Sequence, residues 1–109
     1  MGMTPEAKVK KALDKMLKAE GVFFFAPQAG IYGRSGIPDR IACIEGLFVG
    51  IECKAPDTKY KVTALQKKAI DDITASGGKC FVVWNDEMID VVRQWIAGVK
   101  TKVRLGVAP

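Results

Sequence analysis

The chain has 109 residues, with 17 Lys plus Arg against 12 Asp plus Glu for a net charge of +5, and no histidine. That length fits one domain with a buried core, and 49% hydrophobic with 27% charged residues excludes an intrinsically disordered chain. The missing histidine excludes Ser-His-Asp and Cys-His hydrolysis, imidazole-ligated zinc and nucleases with a His general base, leaving carboxylates, lysine and a hard metal ion for any hydrolysis.

The predicted elements begin at Thr4-Pro5, an N-cap followed by proline at the first helical position. Val9, Ala12, Leu13, Met16 and Leu17 then form one apolar stripe, and Gly21 ends the helix. Val22 to Ala26 reads as a buried strand closed by Pro27, and residues 27–38 as a Gly/Pro-rich loop. Two strand patterns follow, Asp39 to Ile44 and Leu47 to Lys54, joined by Glu45-Gly46 as a tight hairpin. Thr63-Ala64-Leu65-Gln66 fits a capping box that starts a second helix, with Val62, Leu65, Ala69, Ile70 and Ile73 as its apolar face and Gly77-Gly78 as its stop. Cys80 to Trp84 reads as a second buried strand. Asn85 or Asp86 caps a third helix that turns Met88, Val92, Trp95 and Ile96 inward and closes at Gly98. Residues 99–107 alternate apolar residues with Lys100, Lys102 and Arg104, as an edge strand with a basic outer face or a solvated tail would. The expected fold is therefore α/β, a mixed sheet with packed helices in the order αβββαβα, in a single domain over 1–109.

No apolar run approaches the roughly 18 residues of a membrane span, and residues 1–20 lack the apolar stretch of a signal peptide. Cys43, Cys53 and Cys80 are odd in number, form no CxxC pair and sit in apolar runs, so buried reduced thiols are expected. The expectation is an intracellular, cytoplasmic protein without a membrane partner.

The chemistry concentrates in Gly36-Ile37-Pro38-Asp39 and Glu52-Cys53-Lys54. An acid-x-Lys triplet alone means little, since Glu6-x-Lys8 and Asp57-x-Lys59 also occur. Only Glu52-x-Lys54 falls in a strand pattern, where residues i and i+2 share a face. Pairing across Glu45-Gly46 sets residue i opposite 91 − i, which brings Asp39 opposite Glu52. Two carboxylates and one ammonium then converge at one end of the hairpin. Close carboxylates repel one another and make a divalent cation their natural partner. Mg²⁺ takes oxygen ligands and suits phosphate substrates.

These residues, with Gln66, resemble the PD-(D/E)xK nuclease superfamily and most closely its VRR-NUC branch. That branch shows a G-x-P-D, a strand ending in E-x-K and a glutamine at the next helix start. The resemblance spans nearly the whole chain and implies a restriction-endonuclease-like core. It implies that Asp39 and Glu52 ligate Mg²⁺ (with Mn²⁺ able to substitute), joined by the backbone carbonyl of Cys53. It gives Lys54 the attacking water, and Gln66 a part in placing metal, water or phosphate. Glu6 lines up with a first-helix glutamate that some members hold near the metal, although a favourable charge in the helix's first turn explains it equally. Gln66 can likewise simply complete its capping box.

Residues 54–68 hold five lysines and one acid, and Lys59-Tyr60-Lys61 interleaves an aromatic with basic residues. Lys59, Tyr60 and Lys61, with Arg34 and Ser35 and the nearby Tyr32, are the expected nucleic-acid contacts, and Lys100, Lys102 and Arg104 are further candidates for phosphate. The implied function is a Mg²⁺-dependent DNA endonuclease acting on branched or junction DNA as a homodimer. A nuclease subunit cutting flaps, nicks or single strands within a larger complex, and a non-catalytic DNA-binding module, are the alternatives.

Overall fold

The computed structural model describes residues 2–28 and 33–109. In chain order its elements are α1 (Pro5–Ala19), β1 (Phe23–Phe25), β2 (Arg40–Ile44), β3 (Leu47–Cys53), a 3₁₀ turn (Pro56–Thr58), α2 (Ala64–Ala75), β4 (Lys79–Val83) and α3 (Asp86–Arg104). The fold is mixed α/β, and the expected αβββαβα order is present. The sheet runs β1-β2-β3-β4, with β1, β2 and β3 antiparallel and β4 parallel to β3.

The helix starts follow from local chemistry. Thr4 Oγ1 accepts the Ala7 N–H at 3.2 Å, and Asn85 Oδ1 accepts the Met88 N–H at 2.9 Å, each satisfying a free amide of the first turn. The core lies between α1 and α3 and one face of the sheet. Val9, Leu13 and Leu17 of α1 and Ile89, Val92, Ile96 and Val99 of α3 meet Ala42, Ile44, Val49, Ile51, Cys53 and Val83 there. Strand alternation turns Gly50, Glu52 and Lys54 to the opposite face, which α2 covers in part through Ala69 and Ile73.

Several expectations are corrected. The strand over 22–26 is not buried: β1 is an edge strand, and Phe23 and Phe25 are 71% and 49% exposed because α2, on their side of the sheet, lies over β3 and β4 at the far edge. Cys43 is exposed on that same side, between Phe23 and Phe48 in the ladder, whereas Cys53 is buried and Cys80 half-buried. Leu65 is exposed rather than inward. In β4, at the other edge, only Val83 is fully buried. The third helix does not close at Gly98: residues 99–104 continue α3, and only residues 105–109 form an exposed tail. Val99 prolongs the 3–4 spacing of Ile89, Val92 and Ile96 into the core, which carries α3 on to Arg104. The stop is Gly106 at φ +77°, where Gly106 N–H donates to Val103 O and Val107 N–H to Lys102 O at 2.8 Å. Among the described residues no helix is long and apolar enough to cross a membrane.

Candidate active site

The site is set by the β2–β3 hairpin. Glu45 and Gly46 both have positive φ, 51° and 81°, as a two-residue turn matched to strand twist requires. Ile44 pairs with Leu47 and Arg40 with Ile51, the expected register. One step further, Asp39 reaches across: its Oδ2 accepts the Cys53 backbone N–H at 2.8 Å. The carboxylate thus takes the place of a peptide carbonyl at the end of the ladder.

The residues before Asp39 each have a packing role. Pro38 is buried against Gly50, where an added Cβ would come within 2.8 Å of the Pro38 ring. Gly36 has φ +79°, and a Cβ there would be driven into the Leu65 carbonyl and stand 2.8 Å from Gln66 N. The loop therefore presses against the first turn of α2 and fixes where Gln66 sits relative to the hairpin. The backbone of Leu65 makes this contact, while its side chain points to solvent.

Glu52 lies on the site face of β3, only 2% exposed, and its Oε2 has no hydrogen-bond partner. Burial first, and the adjoining Asp39 carboxylate second, push its carboxyl up to about 8, against the opposing pull of Lys54. Burial works on Asp39 in the same direction, but hydrogen bonding with Glu52, the Cys53 N–H and the Lys10 ammonium hold its carboxyl below the ordinary range. The two carboxyl groups therefore share one negative charge.

Lys54 is 8% exposed, and its Nζ donates to Gln66 Oε1 at 2.9 Å. The same oxygen accepts the Thr63 N–H at 3.0 Å, and Gln66 N–H donates to Thr63 Oγ1 at 3.1 Å. Gln66 thus completes the capping box and holds the lysine at once. The Cys53 thiol belongs to the core, and burial above all pushes it up to about 12, so it is no nucleophile at neutral pH.

Lys10 is a site residue that the sequence reading missed. Its Nζ is 3.2 Å from Glu6 Oε2 and 3.6 Å from Asp39 Oδ1. The Glu6–Lys10 spacing of four on a helix was the available signal. Glu6 meets the site only through Lys10, and among the described residues no three His, Cys, Asp or Glu side chains gather as a ready metal cage. The donor set nevertheless suits a hard divalent ion. A buried carboxylate oxygen lacks a partner, a second carboxylate adjoins it, and a side-chain ammonium already stands at Asp39 Oδ1. Mg²⁺, which keeps several waters, needs few protein ligands.

The expected nucleic-acid contacts are scattered. Arg34 is ion-paired with Asp72 of α2. Ser35 is exposed in the turn beside it. Lys59 Nζ lies over the rings of Tyr60 and Trp84, 5.1 and 5.5 Å from their centroids. Tyr60 and Lys61 are exposed after the 3₁₀ turn. Lys100 Nζ donates to Glu20 O at the end of α1, while Lys102 and Arg104 are exposed on the last turn of α3. Tyr32 lies outside the described residues. No family model matches the chain, and no curated protein matches it.

Proposed function

We propose that this protein is a Mg²⁺-dependent DNA endonuclease of the PD-(D/E)xK type, related to the VRR-NUC branch. The observation that carries this reading is Asp39, bonded to the β3 backbone beside a buried Glu52 whose Oε2 has no partner, two residues from a lysine that Gln66 holds in place. Asp39 and Glu52 would hold the ion, with the Cys53 carbonyl beside them. Once bound, the ion would lower the pKa of a coordinated water and offset charge on a phosphodiester. Lys54, largely shielded from solvent, can donate from Nζ to the attacking water or to a non-bridging phosphate oxygen. Gln66 limits the directions in which that ammonium can turn. Asp39, tied to the β3 backbone, cannot swing away from the site.

One chain carries one such site, so paired cuts across a junction require two copies. The uncovered Phe23, Phe25 and Phe48 supply an apolar face that supports a homodimer as part of this reading. A protein that stays monomeric at micromolar concentration while resolving junctions fully would remove the dimer from it.

The test is cleavage of junction, flap, single-stranded and linear duplex DNA with Mg²⁺ or Mn²⁺, beside Lys54→Ala. Wild type should cut at least one substrate, and the variant should lose at least about a hundredfold in rate. Binding without cleavage of any substrate would make the chain a DNA-binding module. Equal cleavage by both proteins would overturn the site.

A further inference from the structure

The geometry points to the lysine-lined groove along α1, not the 54–68 segment, as the surface that carries the DNA backbone to the site. This inference rests on the nuclease reading above and adds the path of the substrate.

A shallow concave surface of about 570 Å³ runs along α1, lined by Lys10, Lys11, Lys15, Lys18 and, from β2, Arg40. A second hollow of about 370 Å³ opens over Asp39 and the Gly36–Asp39 loop. The two share Lys10 and Arg40, so the groove leads onto Asp39, one of the candidate metal ligands. The acid in the groove, Asp14, is already engaged by Arg40 at 2.7 and 3.0 Å. Lys11, Lys15 and Lys18 are exposed, and no ion pair to them occurs among the described residues. By contrast, Lys67 and Lys68 on the expected surface are paired with Asp71 and Asp72, and Lys59 lies over aromatic rings.

Spacing supports the same occupant. Positions 11, 15 and 18 are separated by four and three residues and so share a helix face. At 1.5 Å per residue they span roughly 10 Å, the rise along the duplex axis of about three phosphates on one strand. Lys10, one residue from this row, already touches Asp39. The groove's row of cations thus ends where a scissile phosphate would meet the metal.

The test is equilibrium binding of fluorescent junction and duplex DNA in Ca²⁺, across 50–200 mM salt, with cleavage in Mg²⁺ measured separately. The K11Q/K15Q/K18Q variant keeps good helix formers at exposed positions, so its thermal melt should match wild type. Its affinity should fall at least tenfold, and the slope of log affinity against log salt should shrink by about 2–3, near 0.9 per lost phosphate contact. The charge-matched variant K61Q/K102Q/R104Q should change the slope by less than one. An unaltered slope in the α1 variant, or an equal loss in the control, overturns the groove even if cleavage persists. Slope loss confined to α1 in a protein that never cleaves sustains the groove and removes the nuclease reading. Wild type that ignores DNA and binds vesicles containing anionic lipid through the same lysines overturns the groove as a nucleic-acid surface.

Discussion

Replacing Glu52 by Gln should stabilise the metal-free protein at alkaline pH and remove its response to divalent cations. The carboxyl titrates near 4.5 in an unfolded chain and is pushed up to about 8 in the fold, by burial first and Asp39 second. Between those values the folded protein keeps a proton that the unfolded chain has released. The stability tied to this group is therefore fully present below about 4.5 and is lost as pH rises, by up to ~1.4 kcal/mol per unit, until about 8. Three and a half units set an upper limit of about 5 kcal/mol, and local relaxation and water entry should leave roughly 2–3 kcal/mol. Asp39 has the opposite sign and a separate window: with its carboxyl held low, its contribution is lost only as pH falls through the acidic range. The measurement is thermal unfolding in EDTA at pH 5, 6.5 and 8 for wild type and E52Q. The two should be close at pH 5, and the variant should gain steadily to pH 8, about 10 °C in Tm for a domain of this size. Mg²⁺ at pH 8 should then raise the Tm of wild type and leave E52Q unmoved. A stability difference that does not change with pH would refute the assignment of a buried, proton-sharing pair.

Gly36→Ala should cost roughly 1–3 kcal/mol, from positive φ and collision with the first turn of α2, and should lower cleavage more than Ca²⁺-dependent DNA binding. Gly98→Ala should stabilise the protein by about 1 kcal/mol, because the position is mid-helix and a Cβ there meets nothing within 4 Å; destabilisation in a thermal melt would show that α3 stops early. Gln66→Ala should cost about 1 kcal/mol of stability and also cleavage rate, whereas Gln66→Glu, which keeps both acceptor contacts, should keep the stability. Equal activity in wild type and Gln66→Ala would confine Gln66 to helix capping.

The hairpin was legible because two local signals agreed. A Glu-Gly pair takes a tight two-residue turn, and alternation leaves one register that buries Val49 and Ile51. The capping box at Thr63 was legible for a similar local reason, though its reach to Lys54 depends on how α2 docks. What the chain does not reveal locally is which side of a strand will be covered. Three consecutive phenylalanines read as buried, yet only Phe24 meets the core. Gly98 read as a stop because its propensity is poor, but Val99 packs into the core and outweighs it. Lys10 escaped notice because its meeting with Asp39 depends on how α1 crosses the hairpin end. Arg34 was assigned to phosphate because an ion pair with Asp72, 38 positions away, cannot be read from the chain.

The side-chain rung at the end of the β2–β3 ladder bears on which ions the protein accepts. With Oδ2 already accepting the Cys53 amide, Oδ1 is the freer oxygen of Asp39, and it faces Lys10. A chelating, two-oxygen grip from this residue would compete with the backbone hydrogen bond at the strand end. Ca²⁺ gains from bidentate carboxylates and seven or eight ligands, whereas a small octahedral ion does not. On the nuclease reading proposed above, an incoming cation would compete with the Lys10 ammonium for Oδ1. On that reading the contact that ends the strand pairing would favour tight one-oxygen ligation of a small ion over a bidentate grip on Ca²⁺.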